Sequence, residues 1–425
     1  MEGDHREGSS LTQPLVELDE ANNNINISSI KEGNSSFFNT CFNGLNAITG
    51  IGILSVPYAL AAGGWMSLIL FFIIALAATY SGLLVKRCMQ ADSKIKTYSD
   101  IGEHAFGRIG KVVVSAVLYA DLYMVVTGFL ILEGDNLHNL FPQMSVELLG
   151  LTINGNSSFI VMVALILLPT VWLDDLSILA YVSAGGVVAS FVILLSVVWV
   201  GAFDGVGFQH KGELFNLKGL PTAVSLFMFC YSAHPVFPPL YTSIQKKHQF
   251  STVLLLCFTV CTLSYAAMAI LGYAMFGPGV NSQITLNLPT SKLASQVAIY
   301  TTLVTPLAKY ALMLKPVAIT TESWFPTYQK NKSFRIFIRT FLVATQVIVA
   351  LCIPFFGYLM SLVGALLSAT ASLTIPCVCY MKISRTKWGS VEMVAILSVI
   401  VLSILIVVFG TYTSLVQIIG EITTS

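Results

Sequence analysis

The chain has 425 residues, of which 55% are hydrophobic and 10% charged, with a formal net charge of +1. Soluble chains carry roughly 25% charged residues; a mean hydropathy of +0.79 and apolar runs longer than about 18 residues mark a polytopic membrane protein. Near-neutral charge without a basic cluster excludes a nucleic-acid partner.

Residues 1–36 are polar, rich in Asn, Ser, Glu and Asp, and have no apolar signal-peptide core. They are expected to form a disordered cytoplasmic tail. Apolar runs then predict eleven helical spans at 37–62, 65–86, 111–132, 159–173, 178–202, 220–242, 251–276, 293–315, 336–352, 354–380 and 390–416. Most lysines and arginines fall on the side of the tail. Lys211, Lys218 and Lys292 lie opposite, and Lys309 and Lys315 belong to the eighth span. Because positive charge is retained in the cytoplasm, the amino terminus is read as cytoplasmic and the carboxyl terminus as luminal or extracellular.

The first span contains Thr49-Gly50-Ile51-Gly52, followed by Ser55 and Pro57. Two glycines weaken the helix, while Ser and Pro suit the first turn of a new one. Freed backbone groups inside a membrane must face protein or a cavity, so a broken helix is predicted here. The sixth span has a counterpart in Cys230-Tyr231-Ser232-Ala233-His234-Pro235, where proline removes a donor. Pro238 and Pro239 are expected to distort its second half again. Gly50 and Tyr231 lie about 20 Å and 16 Å along their spans at 1.5 Å per residue, near the midplane of a core about 30 Å thick. Interrupted helices in corresponding positions of two inverted halves point to a secondary-transporter site. The alternative is packing: glycines at a helix interface and an ordinary proline kink.

Helix ends suggest the ligand. A half-helix starting near Leu54–Ser55 offers free amides and a positive dipole end to a carboxylate. One ending near Cys230–Ser232 offers carbonyls to an ammonium group. An α-amino acid carries both groups, so Thr49, Gly50, Ile51, Gly52, Cys230, Tyr231 and Ser232 are candidate binding residues. Tyr119 and Tyr123 are candidates for the pocket wall, with core packing as the alternative.

Asp121 and Lys309 are the charges well inside predicted spans, where each costs about 2.5–3.5 kcal/mol and marks function by default. Asp121 reads either as a structural hydrogen-bond partner or as a protonatable, substrate-facing group. Lys309 reads as an ion-coupling group or as a lysine snorkelling to the cytoplasm. His234 is a further titratable candidate for proton coupling. Glu133 and Asp135 are expected at a solvated mouth. Asn156, in Asn-Ser-Ser, is a candidate N-glycosylation acceptor on a non-cytoplasmic loop spanning 133–158. The eight cysteines, Cys377-x-Cys379 included, sit in or beside apolar segments and read as small hydrophobes rather than disulfides or metal ligands.

Six stretches carry a resemblance. They are Gly44–Ala59, Tyr98–Gly107, Leu132–Asn136, Phe229–Pro235, Ser282–Pro289 and Pro306–Ala311. With these the chain resembles the amino acid/auxin permease family, and within it the vacuolar amino-acid transporter group of plants and fungi. The resemblance implies an all-α, eleven-helix fold with a five-plus-five inverted repeat, like the sodium-coupled leucine transporter. The repeats are expected at 37–202 and 203–380, with an eleventh helix in 381–425. It also implies transport of neutral amino acids driven by a proton gradient. In that fold the third helix, with Asp121, lines the site. The eighth helix, with Lys309, joins the first at a sodium site that an ammonium could fill. Pro235 departs from the family, which more often has a small residue there, and this bears on the flexibility of the second break.

The function expected is therefore secondary active transport of amino acids by a monomer. Its partners are an amino acid, protons and the bilayer, with no cofactor or metal, and its membrane is the vacuolar one or, alternatively, the plasma membrane. An amino-acid sensor on the same fold is the competing reading. An enzyme would need a protease or metal signature, which the sequence lacks.

Overall fold

The computed structural model describes residues 33, 35–143, 146–148, 151–153, 155–173, 185–328, 331–384 and 389–424. Most of the predicted tail and residues 178–184 of the fifth predicted span lie outside these. The first span is α1 (Phe37–Ile48) and α2 (Gly52–Gly63), bent by 50° at the break. There follow α3 (Ser67–Ala91), α4 (Tyr98–Leu140), a short antiparallel hairpin of β1 (Val146–Leu148) and β2 (Leu151–Ile153), α5 (Gly155–Trp172) and α6 (Gly186–Phe203). The sixth span is α7 (Leu220–Phe229) and α8 (Phe237–Ser243). The chain continues through α9 (Phe250–Phe276), α10 (Leu293–Ser323), α11 (Lys332–Cys352), α12 (Phe356–Ile383) and α13 (Ser390–Thr423). With α1 and α2 taken as one, eleven spans stand among the described residues.

Several boundaries differ from the sequence expectation for local reasons. The third helix starts at Tyr98, not near 111, because Thr97 and Asp100 form a reciprocal capping box. Its first turns are set off by Gly107, whose φ of +66° no side-chain-bearing residue adopts cheaply. At the other end it continues to Leu140 and takes in Glu133 and Asp135. The last residues of the predicted tail are tied down. Amides of Gly33 and Ser35 donate to Thr242 and Ser243 carbonyls at 3.3 and 2.9 Å, where α8 ends with unsatisfied acceptors. Ser36 then caps α1.

The centre of the bundle is aromatic. Phe71 of α3 meets Phe227 of α7 edge-on at 5.2 Å, and Tyr231 lies between Phe71, Phe258 and Tyr265. A buried ion pair joins the outer frame: Arg339 of α11 donates to Glu322 of α10 at 2.8 Å. The same guanidinium donates to the Val171, Trp172 and Leu173 carbonyls at the end of α5. The α12 helix is π-wound at Val363–Ser368 and Thr370–Thr374. Hydroxyl pairs Ser361–Ser414 (2.8 Å) and Thr374–Ser403 (2.7 Å) fasten it to α13.

Candidate substrate site

The first helix stops because Thr49 turns out of helical geometry, its amide and hydroxyl both donating to the Leu45 carbonyl at 2.7 Å. The Ile48 carbonyl, freed by the break, accepts from the Tyr265 hydroxyl of α9 at 2.7 Å. Among the described residues, the Ile51 amide has no backbone acceptor, whereas the Gly50 amide faces the Tyr265 hydroxyl. The second half begins at Gly52, earlier than Leu54–Ser55, so Pro57 falls inside α2. Ser55 does not cap it; the Ser55 hydroxyl is buried and unpartnered.

The second break runs over Cys230–Ala233, followed by a 3-10 turn at His234–Val236. Pro238 and Pro239 do not kink the second half; they start it, where a missing amide costs nothing. The carbonyls of Cys230 and Ser232 take no backbone donor. The two breaks touch. A Cβ on Gly52 would stand 2.9 Å from Cys230 Sγ and 3.2 Å from its Cα, whereas one on Gly50 would meet open space.

That open space is a cavity of about 630 Å³, within the range of small-molecule sites. Gly50, Ile51, Gly52, Cys230 and Ser232 line it from the breaks, and Tyr119, Asp121 and Lys309 from the flanking helices. Leu118, Val125, Phe129 and Phe229 add apolar wall, and the cavity reaches Lys96–Ser99 at the start of α4. Lys309 points toward α1, its Nζ 3.5 Å from the Asn46 carbonyl, a long contact for an ammonium. Asp121 accepts from Ser368 of α12 at 3.3 Å and makes no ion pair with Lys309.

Four sequence candidates lie outside the cavity wall. Thr49 ends α1 as described. Tyr123 donates to Thr345 at 2.9 Å, and the Tyr231 hydroxyl lies 2.9 Å from that of Thr262. His234 is fully buried against α3, with Nε2 2.9 Å from the Ala78 carbonyl and 2.8 Å from Ser81. Since a carbonyl only accepts, that nitrogen carries the proton. Asn156 sits in the first turn of α5, and its amide donates to Asp135 at 2.7 Å. Asp135 also accepts from Gln283 at 2.8 Å, and Asn136 donates to the same glutamine at 2.5 Å. Glu133 is 1% exposed and Asp135 is held by Asn156 and Gln283, so the expected solvated mouth is instead a largely buried, hydrogen-bonded polar layer. Sequence reasoning missed Tyr265 and Ser368, a tyrosine and a serine in otherwise featureless apolar spans.

Two opposed broken helices around a mid-membrane cavity are the mark of a membrane transporter built on an inverted repeat. The chain matches the family described as transmembrane amino acid transporter protein over residues 33–416, and it belongs to that family. It is 55% identical over 392 residues to amino acid transporter AVT1I of Arabidopsis thaliana, covering 92% of this chain and 97% of the relative. It is 26% identical over 403 residues to the vesicular GABA transporter of Caenorhabditis elegans, covering 91% and 81%. Two solved structures share the fold. MhsT in complex with L-phenylalanine matches with a TM-score of 0.51 at 12% identity, covering 90% of this chain and 100% of that one. The inward-facing conformation of Mhp1 matches with a TM-score of 0.56 at 14% identity, covering 92% and 91%. The fold is thus the five-plus-five inverted repeat of the leucine-transporter class.

Proposed function

We propose that the protein is a secondary active transporter of neutral α-amino acids, driven by a proton gradient and working by alternating access about the cavity. The observation that carries this reading is the pairing across one cavity of the broken Gly50–Gly52 backbone and its open Ile51 amide with open carbonyls at Cys230 and Ser232. The amides at the start of α2 suit the substrate carboxylate, and the carbonyls suit its ammonium group. Leu118, Val125, Phe129 and Phe229 favour an uncharged, apolar side chain. The repeats are assigned to 37–202 and 203–380, with 381–425 as an appendage.

Lys309 reaches from α10 toward the Asn46 carbonyl of α1. A charged lysine there ties the moving first helix to the frame, and its deprotonation releases that tie. Asp121 is the second candidate proton carrier, facing the same cavity. The lysine and arginine distribution supports a cytoplasmic amino terminus, which makes the cavity reaching Lys96–Ser99 an inward-open one. Similarity to the plant transporters supports the vacuolar membrane, and a monomer suffices for the site.

Purified protein in proteoliposomes tests this through counterflow of radiolabelled amino acids, and through uptake under an imposed pH gradient in each direction. Exchange with acceleration by the gradient is expected. Binding without exchange favours the sensor reading.

A further inference from the structure

The π-wound middle of α12 touches the site at a point the transport reading does not use. A π turn closes on the fifth residue rather than the fourth and is frequent at functional positions. Two carbonyls of this stretch take side-chain donors. Ala369 accepts from Ser403 of α13 at 3.1 Å, and Ala371 accepts from the Tyr98 hydroxyl at the cavity mouth. Gly364 presses on α7, where a Cβ would fall 2.0 Å from the Ser225 carbonyl. Ser368, fully buried, turns to α4 and meets Asp121 Oδ1 at 3.3 Å.

Ser368 is the hydrogen-bond partner of the Asp121 carboxyl in this structure. The other titratable groups on the cavity wall are Lys96, Tyr98, Tyr119, Cys230, Tyr265 and Lys309, and Ser368 is the side-chain partner of the carboxyl. We propose that Ser368 is a positioning residue: from the π segment of α12 it fixes the orientation and proton affinity of Asp121 on α4, on a turn whose other side rests on half-helix α7. The inference rests on the reading of Asp121 as a proton-coupling group. A hydroxyl donating to a carboxylate favours the ionised form over the acid, so its removal acts on the proton step before it acts on substrate binding.

The test is the pH profile of uptake in proteoliposomes for Ser368→Ala, Ser368→Thr, Asp121→Asn and the double variant Ser368→Ala/Asp121→Asn. A charge-assisted hydrogen bond of about 1.5 kcal/mol corresponds to about one pH unit. Ser368→Ala is expected to move the profile by about that amount toward higher pH, with amino-acid KM at the optimum unchanged within about twofold. Ser368→Thr, which keeps the hydroxyl, is expected to restore the wild-type profile. Adding Ser368→Ala to Asp121→Asn is expected to change nothing further. A wild-type profile for Ser368→Ala alongside an altered one for Asp121→Asn overturns the role of Ser368 alone. A wild-type profile for Asp121→Asn overturns the coupling role of Asp121 and this inference with it. If Ser368→Ala does not elute as a folded monomer in detergent, Ser368→Cys, nearly isosteric with a weaker donor, is expected to show part of the shift.

Discussion

Gly52 and Cys230 meet so closely that the cysteine Cα stands 3.2 Å from where a Cβ on residue 52 would be. The contact joins the start of α2 to the end of α7, the two half-helices whose open ends face the cavity. Gly50 faces that cavity without a close neighbour. The glycines thus differ in kind: one permits helix contact, the other leaves room for a ligand.

Gly52→Val drives a branched side chain into Cys230, and overpacking of this kind costs about 1–3 kcal/mol. The strain falls on the site, so transport is expected to be lost while expression and membrane insertion persist. Gly52→Ala is expected to retain partial uptake, improved when Cys230→Ala is added. Radiolabelled uptake normalised to surface-verified protein measures this, and normal uptake by Gly52→Val places the site elsewhere.

Tyr265 holds the broken end of α1 through the Ile48 carbonyl. Tyr265→Phe leaves that buried carbonyl unsatisfied at a cost of about 1–3 kcal/mol. The expected result is a fall in kcat/KM of about tenfold, the equivalent of about 1.4 kcal/mol, with little change in thermal stability. Uptake kinetics beside a detergent melting curve separates the two effects.

How far the site was legible depends on the length scale of each signal. The breaks at Gly50–Gly52 and Cys230–Pro235 are local conformational statements, written in glycine and proline, and they stand where the sequence puts them. Asp121 and Lys309 stood out because a charge in an apolar run is costly wherever it faces. Tyr265 carries no such mark, since its role depends on α9 crossing α1 about 217 residues away in sequence. His234 lies off the cavity wall for the converse reason. Adjacent to the break in sequence, it turns its ring onto Ala78 and Ser81 of α3, a direction that spacing does not encode. The hydrogen-bonded layer of Asp135, Asn136, Asn156 and Gln283 was missed because its members come from three separate segments.

Lys309 is 3.5 Å from the Asn46 carbonyl and, among the described residues, makes no ion pair. Lys309→Met keeps the length of the apolar stem and removes both charge and proton. Uptake down a substrate gradient is expected to survive, whereas acceleration by a pH gradient is expected to vanish. Flux measured with and without an imposed gradient decides the matter, and an unchanged ratio removes lysine from the coupling step.

Arg339 satisfies Glu322 and three carbonyls at once. Arg339→Met takes the guanidinium away from a buried carboxylate, and breaking a buried pair in this way costs about 3–5 kcal/mol. A large drop in melting temperature is expected. The double variant Arg339→Met/Glu322→Met is expected to recover much of it, because two apolar side chains leave no stranded charge.

Gln283 is fully buried, accepts from Asn136 and donates to Asp135, which in turn accepts from Asn156. It thereby links the loop between α9 and α10 to α4 and α5 at the end of the bundle opposite Lys96–Ser99. Under the proposed alternating access this end opens when the other closes, which would break the layer in each cycle. Gln283→Ala leaves Asn136 and Asp135 each short of a partner, at about 1–3 kcal/mol per buried group. That cost falls on the state in which the layer is closed, and the population shifts toward the opposite one. A cysteine placed at Ile284, buried in the closed layer, is expected to react faster with an impermeant maleimide in the Gln283→Ala background than without it. Equal rates would mean that the layer is a fixed part of the fold.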